Sequence, residues 1–327
     1  MSVLVVGGAG YIGSVAVERL LAAGESVVVY DNFSTGNRGA LSKGAALVEG
    51  DILDTAHLIE MMQTHAVDTV MHFAAYIEVG ESVVNPVKYF DNNVMGAHSV
   101  LKAMIETDVK QFIFSSTAAV YGMPDISPIT EEAAIAPINP YGLSKRMIEE
   151  MLAWHGKAYG LNHVILRYFN ACGASATHGE AHDPESHLIP NILFAASGKR
   201  EKIMVFGDDY DTPDGTCVRD YIHVEDLADA HIKAMGYLRD GNASLTVNLG
   251  NAIGNSVLEV IETVKAVTGK DFTVERHARR AGDADKLVAS SEKAQRILGW
   301  TPQKGDIRTI VEDAWQFMQS HPNGYED

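Results

Sequence analysis

Seven residues near the amino terminus, Gly7-Gly8-Ala9-Gly10-Tyr11-Ile12-Gly13, constrain the fold more than any other stretch. A Val-rich run over residues 2–6 precedes them, as expected of a strand buried on both faces of a parallel sheet. Behind them Ile12, Ala16, Leu20 and Ala23 form one apolar helical stripe that stops at Gly24. A second Val-rich run, Ser26 to Tyr30, ends in Asp31-Asn32, so an acid stands at the tip of the next strand. Glycines let the backbone approach a pyrophosphate, which sits on the positive end of the helix that follows. Strand, glycine turn, helix and acid in this order predict a dinucleotide-binding βαβ unit. Asp31 would accept hydrogen bonds from a ribose diol and repel a 2′-phosphate, which favours NAD over NADP. The competing reading, a solvated loop acid, does not account for the spacing.

Length and charge set the outer limits. A chain of 327 residues holds one large α/β unit and a smaller appended domain. The net charge of −17 argues against nucleic acid and anionic membranes, which both require a basic surface. No apolar segment approaches the ~18 residues of a membrane span, and the first residues lack the basic region of a signal peptide. With Cys172 and Cys217 as the only cysteines, a disulfide framework is not expected and a cytoplasmic location is.

Strand and helix patterns alternate as far as residue 170. Strands are expected at 46–49, 69–72, 111–115 and 162–167, and helices at 54–65, 86–106 (opened by Pro86) and 141–160. This predicts a Rossmann-type doubly wound parallel sheet over 1–170. The remainder, 171–327, forms a smaller substrate-binding domain, with the chain returning to the first around 221–250. Residues 171–220 read as loops around one helix near 187–197. Regular elements return at 224–235, 245–249 and 256–267.

At the carboxyl ends of these strands lie Ser115-Ser116-Thr117 and Tyr168-Phe169-Asn170, where open α/β sheets bind ligands. Tyr141-Gly142-Leu143-Ser144-Lys145 places a phenol and an ammonium one turn apart on a helix. A nearby ammonium favours the phenolate, so Lys145 is expected to lower the Tyr141 pKa toward the range useful for proton exchange. His178, His182, Asp183 and His187 fit no closed zinc spacing and read as a polar loop. Asp208, Asp209, Asp211 and Asp214 lack the EF-hand positions and read as turns. No metal is expected.

Taken together, Gly7-x-x-Gly10-x-x-Gly13, Asp31, Thr117 and Tyr141-x-x-x-Lys145 resemble the extended short-chain dehydrogenase/reductase family. Further stretches are similar to its UDP-galactose 4-epimerase branch. These are Phe73-Ala74-Ala75, Val79-Gly80-Glu81-Ser82, Asn92-Asn93-Val94, residues 115–122, Arg167-Tyr168-Phe169-Asn170 and residues 218–224. The likeness extends to Leu298-Gly299-Trp300.

The resemblance implies an isomerase that interconverts UDP-glucose and UDP-galactose at carbon 4 through a transient 4-keto sugar, with NAD retained. Tyr141 would move the hydroxyl proton, Thr117 would hydrogen-bond the reacting oxygen, and Lys145 would hold the nicotinamide ribose. It implies cofactor contacts from Gly7, Gly10, Tyr11, Ile12, Gly13, Asp31, Asn32, Asp51 (adenine edge), Ile52, Phe73, Ala74, Ala75, Asn92, Ser115, Tyr141, Lys145 and Tyr168. On the substrate side it implies Thr117, Tyr141, Asn170, His187, Leu188, Phe206, Arg219, Arg280 and Asp283. The arginines would take the pyrophosphate, Asp283 the uridine ribose and Phe206 the uracil. Family members often carry Ser at Thr117, Thr at Val6, Asn at His187 and, in some epimerases, Lys at Ile77. A gate near the sugar 2-substituent falls on Leu287, which equally reads as an apolar strand residue. A homodimer through helices 86–106 and 144–160 is also implied. Two alternatives remain: a 4,6-dehydratase, which needs an Asp-Glu pair where this chain has Ala118-Ala119, and a non-catalytic NAD sensor.

Overall fold

The computed structural model describes residues 1–280 and 282–326. Its strands are β1 (Ser2–Val6), β2 (Val27–Asp31), β3 (Ala46–Glu49), β4 (Val67–His72), β5 (Gln111–Thr117), β6 (Asn162–Tyr168), β7 (Asn170–Cys172), β8 (Lys202–Phe206), β9 (Val218–His223), β10 (Leu245–Leu249), β11 (Gly254–Ser256), β12 (Thr273–His277) and β13 (Lys286–Leu287). Helices are α1 (Tyr11–Ala22), α2 (Thr55–Thr64), α3 (Val79–Val84), α4 (Pro86–Tyr89), α5 (Gly96–Glu106), α6 (Pro140–Tyr159), α7 (Leu188–Ala196), α8 (Val224–Arg239), α9 (Val257–Thr268), α10 (Glu292–Leu298) and α11 (Ile307–Ser320).

Seven strands form one parallel sheet in the order β10-β6-β5-β4-β1-β2-β3. Alternate residues of a strand face opposite sides, and in β1 both sides are apolar and buried. Val3 and Val5 join one core with Leu20, Leu227, Leu238 and Trp300, while Leu4 and Val6 join another with Leu58, Val100, Leu101 and Leu152. Helices therefore cover both faces, as the Val-rich runs require. The strand order reverses between β1 and β4, which opens a crevice at their carboxyl ends. Phe73 and Ala74 line it, both donating backbone N–H groups to the Val6 carbonyl (2.8 and 3.0 Å).

Three expectations need correction. The helix expected at 86–106 begins earlier: α3 starts at Val79, ends before Asn85-Pro86, and a π-helical stretch Phe90–Met95 separates α4 from α5. Pro86 lacks the N–H that would continue α3. Next, 171–220 is not loop around one helix. It also contains β7, β8 and the start of β9, whose partners are remote in sequence: β8 pairs β12, and β7, β11 and β13 all pair β9. Lastly, the chain comes back to the large sheet a second time after β10, because α10 and Trp300 pack into the core beside α8. A further core, formed by α7, α9, α11, β8 and β12, lies outside the sheet.

Candidate active site

Thr117 ends β5 and its hydroxyl accepts the Ala119 N–H at 3.1 Å, turning the chain into a short 3-10 segment. Across from this turn α6 begins at Pro140, with Asn139 Oδ1 accepting the Gly142 N–H at 2.8 Å. A Cβ on Gly142 would lie 2.6 Å from the Ala119 carbonyl oxygen. Only glycine permits so close an approach of helix and turn; Tyr141 precedes it in α6, and the Thr117 hydroxyl bears on its phenol. Lys145, one helical turn on and 3% exposed, donates to the Ser115 carbonyl at 2.9 Å. Ser115 Oγ is hydrogen-bonded to the Tyr168 hydroxyl.

Electrostatics here differ from the expectation. Burial raises the Tyr141 phenol, the Thr117 hydrogen bond opposes that rise, and the Glu78 charge adds to it. Burial also depresses the Lys145 ammonium to about 7. The net shift of the phenol is therefore upward, with desolvation its largest cause, and the Lys145 ammonium is engaged by the Ser115 carbonyl. Below the pair is a network that sequence reasoning missed. Glu149, buried in α6, accepts from Ser116 (2.7 Å) and from Arg167 Nε and Nη2 (2.8 and 2.7 Å). Arg167 also donates to the Tyr121 hydroxyl at 3.0 Å, which bonds Asn248. The neighbouring polar residues of β5 and β6 were the only trace of it in the sequence.

The glycine turn sits beside this cluster. A Cβ on Gly13 would fall 2.1 Å from the Gly7 carbonyl oxygen, so the turn and α1 close tightly at that point. Asp31 at the end of β2 accepts the N–H groups of Ala9 (2.9 Å) and Phe33 (2.8 Å). Its burial raises its pKa and the backbone donors oppose the shift. Gly10, Tyr11 and Ile12 open α1, and the Tyr11 hydroxyl donates to the Gly173 carbonyl at 2.6 Å. Asn32 Nδ2 donates to Asp51, which also accepts the Leu53 N–H, and buried Ile52 lies between them in sequence. Ala75 follows Ala74 on the β4 side, while Asn92 Nδ2 donates to Asn93 at 2.9 Å. A narrow glycine cradle at a helix start, ringed by these polar groups, fits a dinucleotide.

The third group stands apart from the sheet. Arg280 Nε bonds Asp283 at 3.0 Å and its guanidinium lies 4.9 Å from the Phe206 ring centroid. Arg219 Nη2 is 3.7 Å from Asp283, while Nη1 donates to the Val218 and Ala284 carbonyls. Phe206, Arg219, Arg280 and Asp283 therefore converge. The other arginines of the 276–280 cluster are otherwise engaged, Arg276 with Asp208 (3.1 Å) and Arg279 with Asp209 (2.6 Å). Leu287 pairs in register with Arg219 and packs on Val120, Tyr121 and Ile129. Asn170 donates to the Asp220 carbonyl at 3.0 Å.

His187 and Leu188 lie at the start of α7. Leu188 packs on the core outside the sheet. The His187 Nδ1 is turned to Glu180 and Glu185, whose charges raise its pKa well above the ordinary value. Sequence reasoning passed over both glutamates, although the alternation Glu180-x-His182-x-x-Glu185-x-His187 was visible.

Comparison with known proteins agrees with this geometry. A family model for the NAD dependent epimerase/dehydratase family matches residues 3–250. The UDP-glucose 4-epimerase of Streptococcus mutans is 52% identical over 331 residues, covering 100% of this chain and 99% of its own. That of Halalkalibacterium halodurans is 53% identical, covering 99% of this chain and 98% of its own. The crystal structure of the Brucella ovis UDP-glucose 4-epimerase in complex with NAD superposes with a TM-score of 0.94 at 49% identity, covering 96% of this chain and 97% of that one. The likeness runs along essentially the whole chain, and the chain belongs to the NAD dependent epimerase/dehydratase family.

Proposed function

We propose that this protein is an NAD-dependent isomerase that inverts carbon 4 of a UDP-hexose, interconverting UDP-glucose and UDP-galactose through a transient 4-keto sugar. The observation that carries the reading is the grouping of Thr117, Tyr141 and Lys145 at the carboxyl end of β5, in a sheet that also carries the glycine cradle, together with an Arg219/Arg280 pair around Asp283. NAD held in the cradle would supply a reversible hydride acceptor for carbon 4, so that the sugar could be re-reduced on its opposite face. Tyr141 takes the 4-hydroxyl proton and gives it back. Thr117 donates to the same oxygen and holds it while charge develops. Lys145 secures the nicotinamide ribose. Its ammonium, poised near 7 by burial, gains stability from any acceptor the cofactor brings. The glycine turn, Asp31, Asn32, Asp51, Ile52, Phe73, Ala74, Ala75, Asn92, Ser115 and Tyr168 make up the cofactor side. Arg219 and Arg280 grip the pyrophosphate, Asp283 the uridine ribose and Phe206 the uracil. Asn170, His187 and Leu188 border the sugar and uracil ends.

Residues 1–170 with 221–250 carry the cofactor, and most of 171–327 carries the nucleotide sugar. Neither Ala118 nor Ala119 has a group able to eliminate water, which disfavours the dehydratase reading. A non-catalytic sensor would have no use for the complete Thr/Tyr/Lys set. The test is to release the nucleotide from purified protein and to incubate the protein with UDP-galactose alone. NAD and UDP-glucose are expected without added oxidant. Released NADP, or a stoichiometric need for NADH, overturns the reading.

We also infer a homodimer. Val84, Val87, Met95, Met147 and Trp154 expose apolar side chains on α3–α6, Trp154 at 68%. Light scattering should give twice the chain mass, and Trp154→Glu should reduce it to one; a monomeric parent protein removes the inference. No helix among the described residues is long and apolar enough to cross a membrane. That fact and two buried free cysteines support a cytoplasmic location, which fractionation of the source cells would test.

A further inference from the structure

Two buried carboxylates lie outside the catalytic cluster, in the segment that leads into α7. The side chains of Glu180 and Glu185 are 6% and 3% exposed. Buried carboxylates require compensating charge, yet among the described residues no lysine or arginine pairs with either. Facing them instead are two imidazoles. His182 Nδ1 lies 3.1 Å from Glu180 Oε1 and 4.0 Å from Glu185 Oε2. His187 Nδ1 lies against the same Glu180 Oε1 and 3.5 Å from Glu185 Oε1. The equivalent nitrogen of both rings, which are 5.4 Å apart, thus points at one place.

Two features separate this arrangement from a simple hydrogen-bonded loop. The His182–Glu185 separation of 4.0 Å is too long for a hydrogen bond, although both side chains are directed inward. One donor atom from each of the four side chains falls within 4.8 Å of the other three. Zinc ligands at ~2.0–2.1 Å from the ion sit about 3.3 Å from each other, so small side-chain movements close this set around a cation. Support from behind is already in place: Glu185 Oε1 accepts the N–H groups of Ser186 and His187, both at 2.8 Å. The other group with metal-like donors, His223, Glu225 and Asp313, differs in kind. There the Lys304 ammonium sits 2.7 Å from Asp313 and supplies the positive charge itself.

We propose that Glu180, His182, Glu185 and His187 form a binding site for a divalent transition-metal ion of the zinc class. Two imidazole nitrogens with two carboxylates suit such an ion, whereas calcium and magnesium favour all-oxygen sets. The site is structural. His182 packs edge-on against Tyr11 at the start of α1 (6.2 Å), and Ser186 within the segment donates to Glu78 at 2.7 Å. A bound ion would therefore fix the 180–187 segment between the glycine-turn helix and the start of α7. This goes beyond the epimerase reading; the two share His187, but the test below reads metal binding and not turnover, so either can fail alone.

The experiment needs no activity assay. Purified full-length protein is stripped with a chelator, passed over a desalting column and titrated with cobalt(II). Wild type is expected to develop the visible absorption of low-coordinate cobalt, with an end point near one equivalent. Zinc should then bleach the colour and raise the melting temperature, because an ion that binds only the folded state stabilises it. His182→Gln and Glu180→Gln, with folding checked by circular dichroism, should weaken binding by at least the ~10–100-fold that losing even an outer partner costs. Absence of cobalt absorption in wild type overturns the proposal with no variant required. Wild-type affinity in folded variants overturns it equally.

Discussion

The two ends of the candidate site are built in opposite ways. At the reacting end Lys145 is 3% and Thr117 8% exposed, both are fixed by backbone hydrogen bonds, and the nearest carboxylate network is sealed below them. At the anchoring end the Arg280 side chain is 62% exposed and, among the described residues, pairs with Asp283 alone, whereas Arg219, 14% exposed, is held by the Val218 and Ala284 carbonyls as well. A group that exchanges a proton gains from fixed geometry, although desolvation raises the Tyr141 phenol and leaves its lowering to whatever binds beside it. A group that catches a diphosphate must stay soluble before the ligand arrives and exchange one anionic partner for another. Under the proposed function the difference teaches that the reacting groups are wholly fixed, while the anchor pairs one fixed arginine, Arg219, with one exposed and exchangeable one, Arg280.

The contrast can be broken most directly at the reacting end. Tyr141→Phe keeps the ring and removes the proton carrier, so kcat should fall by ~10²–10⁴ with NAD still bound; near-normal turnover would refute the assignment. Thr117→Val should fall in the same direction. At the anchoring end Arg219→Met or Arg280→Met should act mainly on KM. Losing a charged hydrogen bond costs about 1.5–3 kcal/mol, or roughly 10–100-fold, and a pure kcat effect would mean the anchor is misplaced. Leu287, which stands beside Arg219, should tune selectivity by ~1–3 kcal/mol. UDP-galactose and UDP-glucose should be the main substrates, with Leu287→Ser admitting N-acetylated sugars better and Leu287→Tyr excluding them. Equal N-acetyl activity in all three proteins rules Leu287 out as the gate.

The smallest effect concerns stability. Burial depresses His72 to about 3, and His163 and His231 to about 4, against an unfolded value of ~6.5. Between these values the unfolded chain binds more protons, so stability should fall as pH drops from ~6.5 toward 4. His72 packs beside the Phe112 and Phe114 rings in the large sheet. His72→Leu should make the denaturation midpoint less pH-dependent over that window, and an unchanged slope would show that His72 does not contribute.

How much of this was legible in the sequence follows from contact range. The βαβ unit and its acid were legible because strand, turn and helix are neighbours in sequence and each residue type meets a local demand. The short strands β7, β8 and β12 were not, since their partners lie 50 or more residues away and three to five residues carry too little pattern of their own. In the site, Tyr141, Lys145 and Thr117 were found through spacing and resemblance, but the sign of the Tyr141 shift was not. Desolvation depends on what packs around a group, and spacing contains no record of it. The Glu149–Arg167 pair stayed hidden for the same reason, as did the division of the 276–280 arginines among Asp208, Asp209 and Asp283.

Gly142 has a consequence for redesign. Glycine inside a helix costs roughly 0.5–1 kcal/mol relative to alanine, yet here alanine would drive a carbon to 2.6 Å from a carbonyl oxygen. The start of α6 thus seats against the Ala119 turn only because a methyl group is missing, much as a shim removed from a joint lets two parts close. Stiffening α6 by the usual glycine-to-alanine exchange would force helix and turn apart, and under the proposed function it would disturb the placement of Tyr141 for a gain in helix propensity.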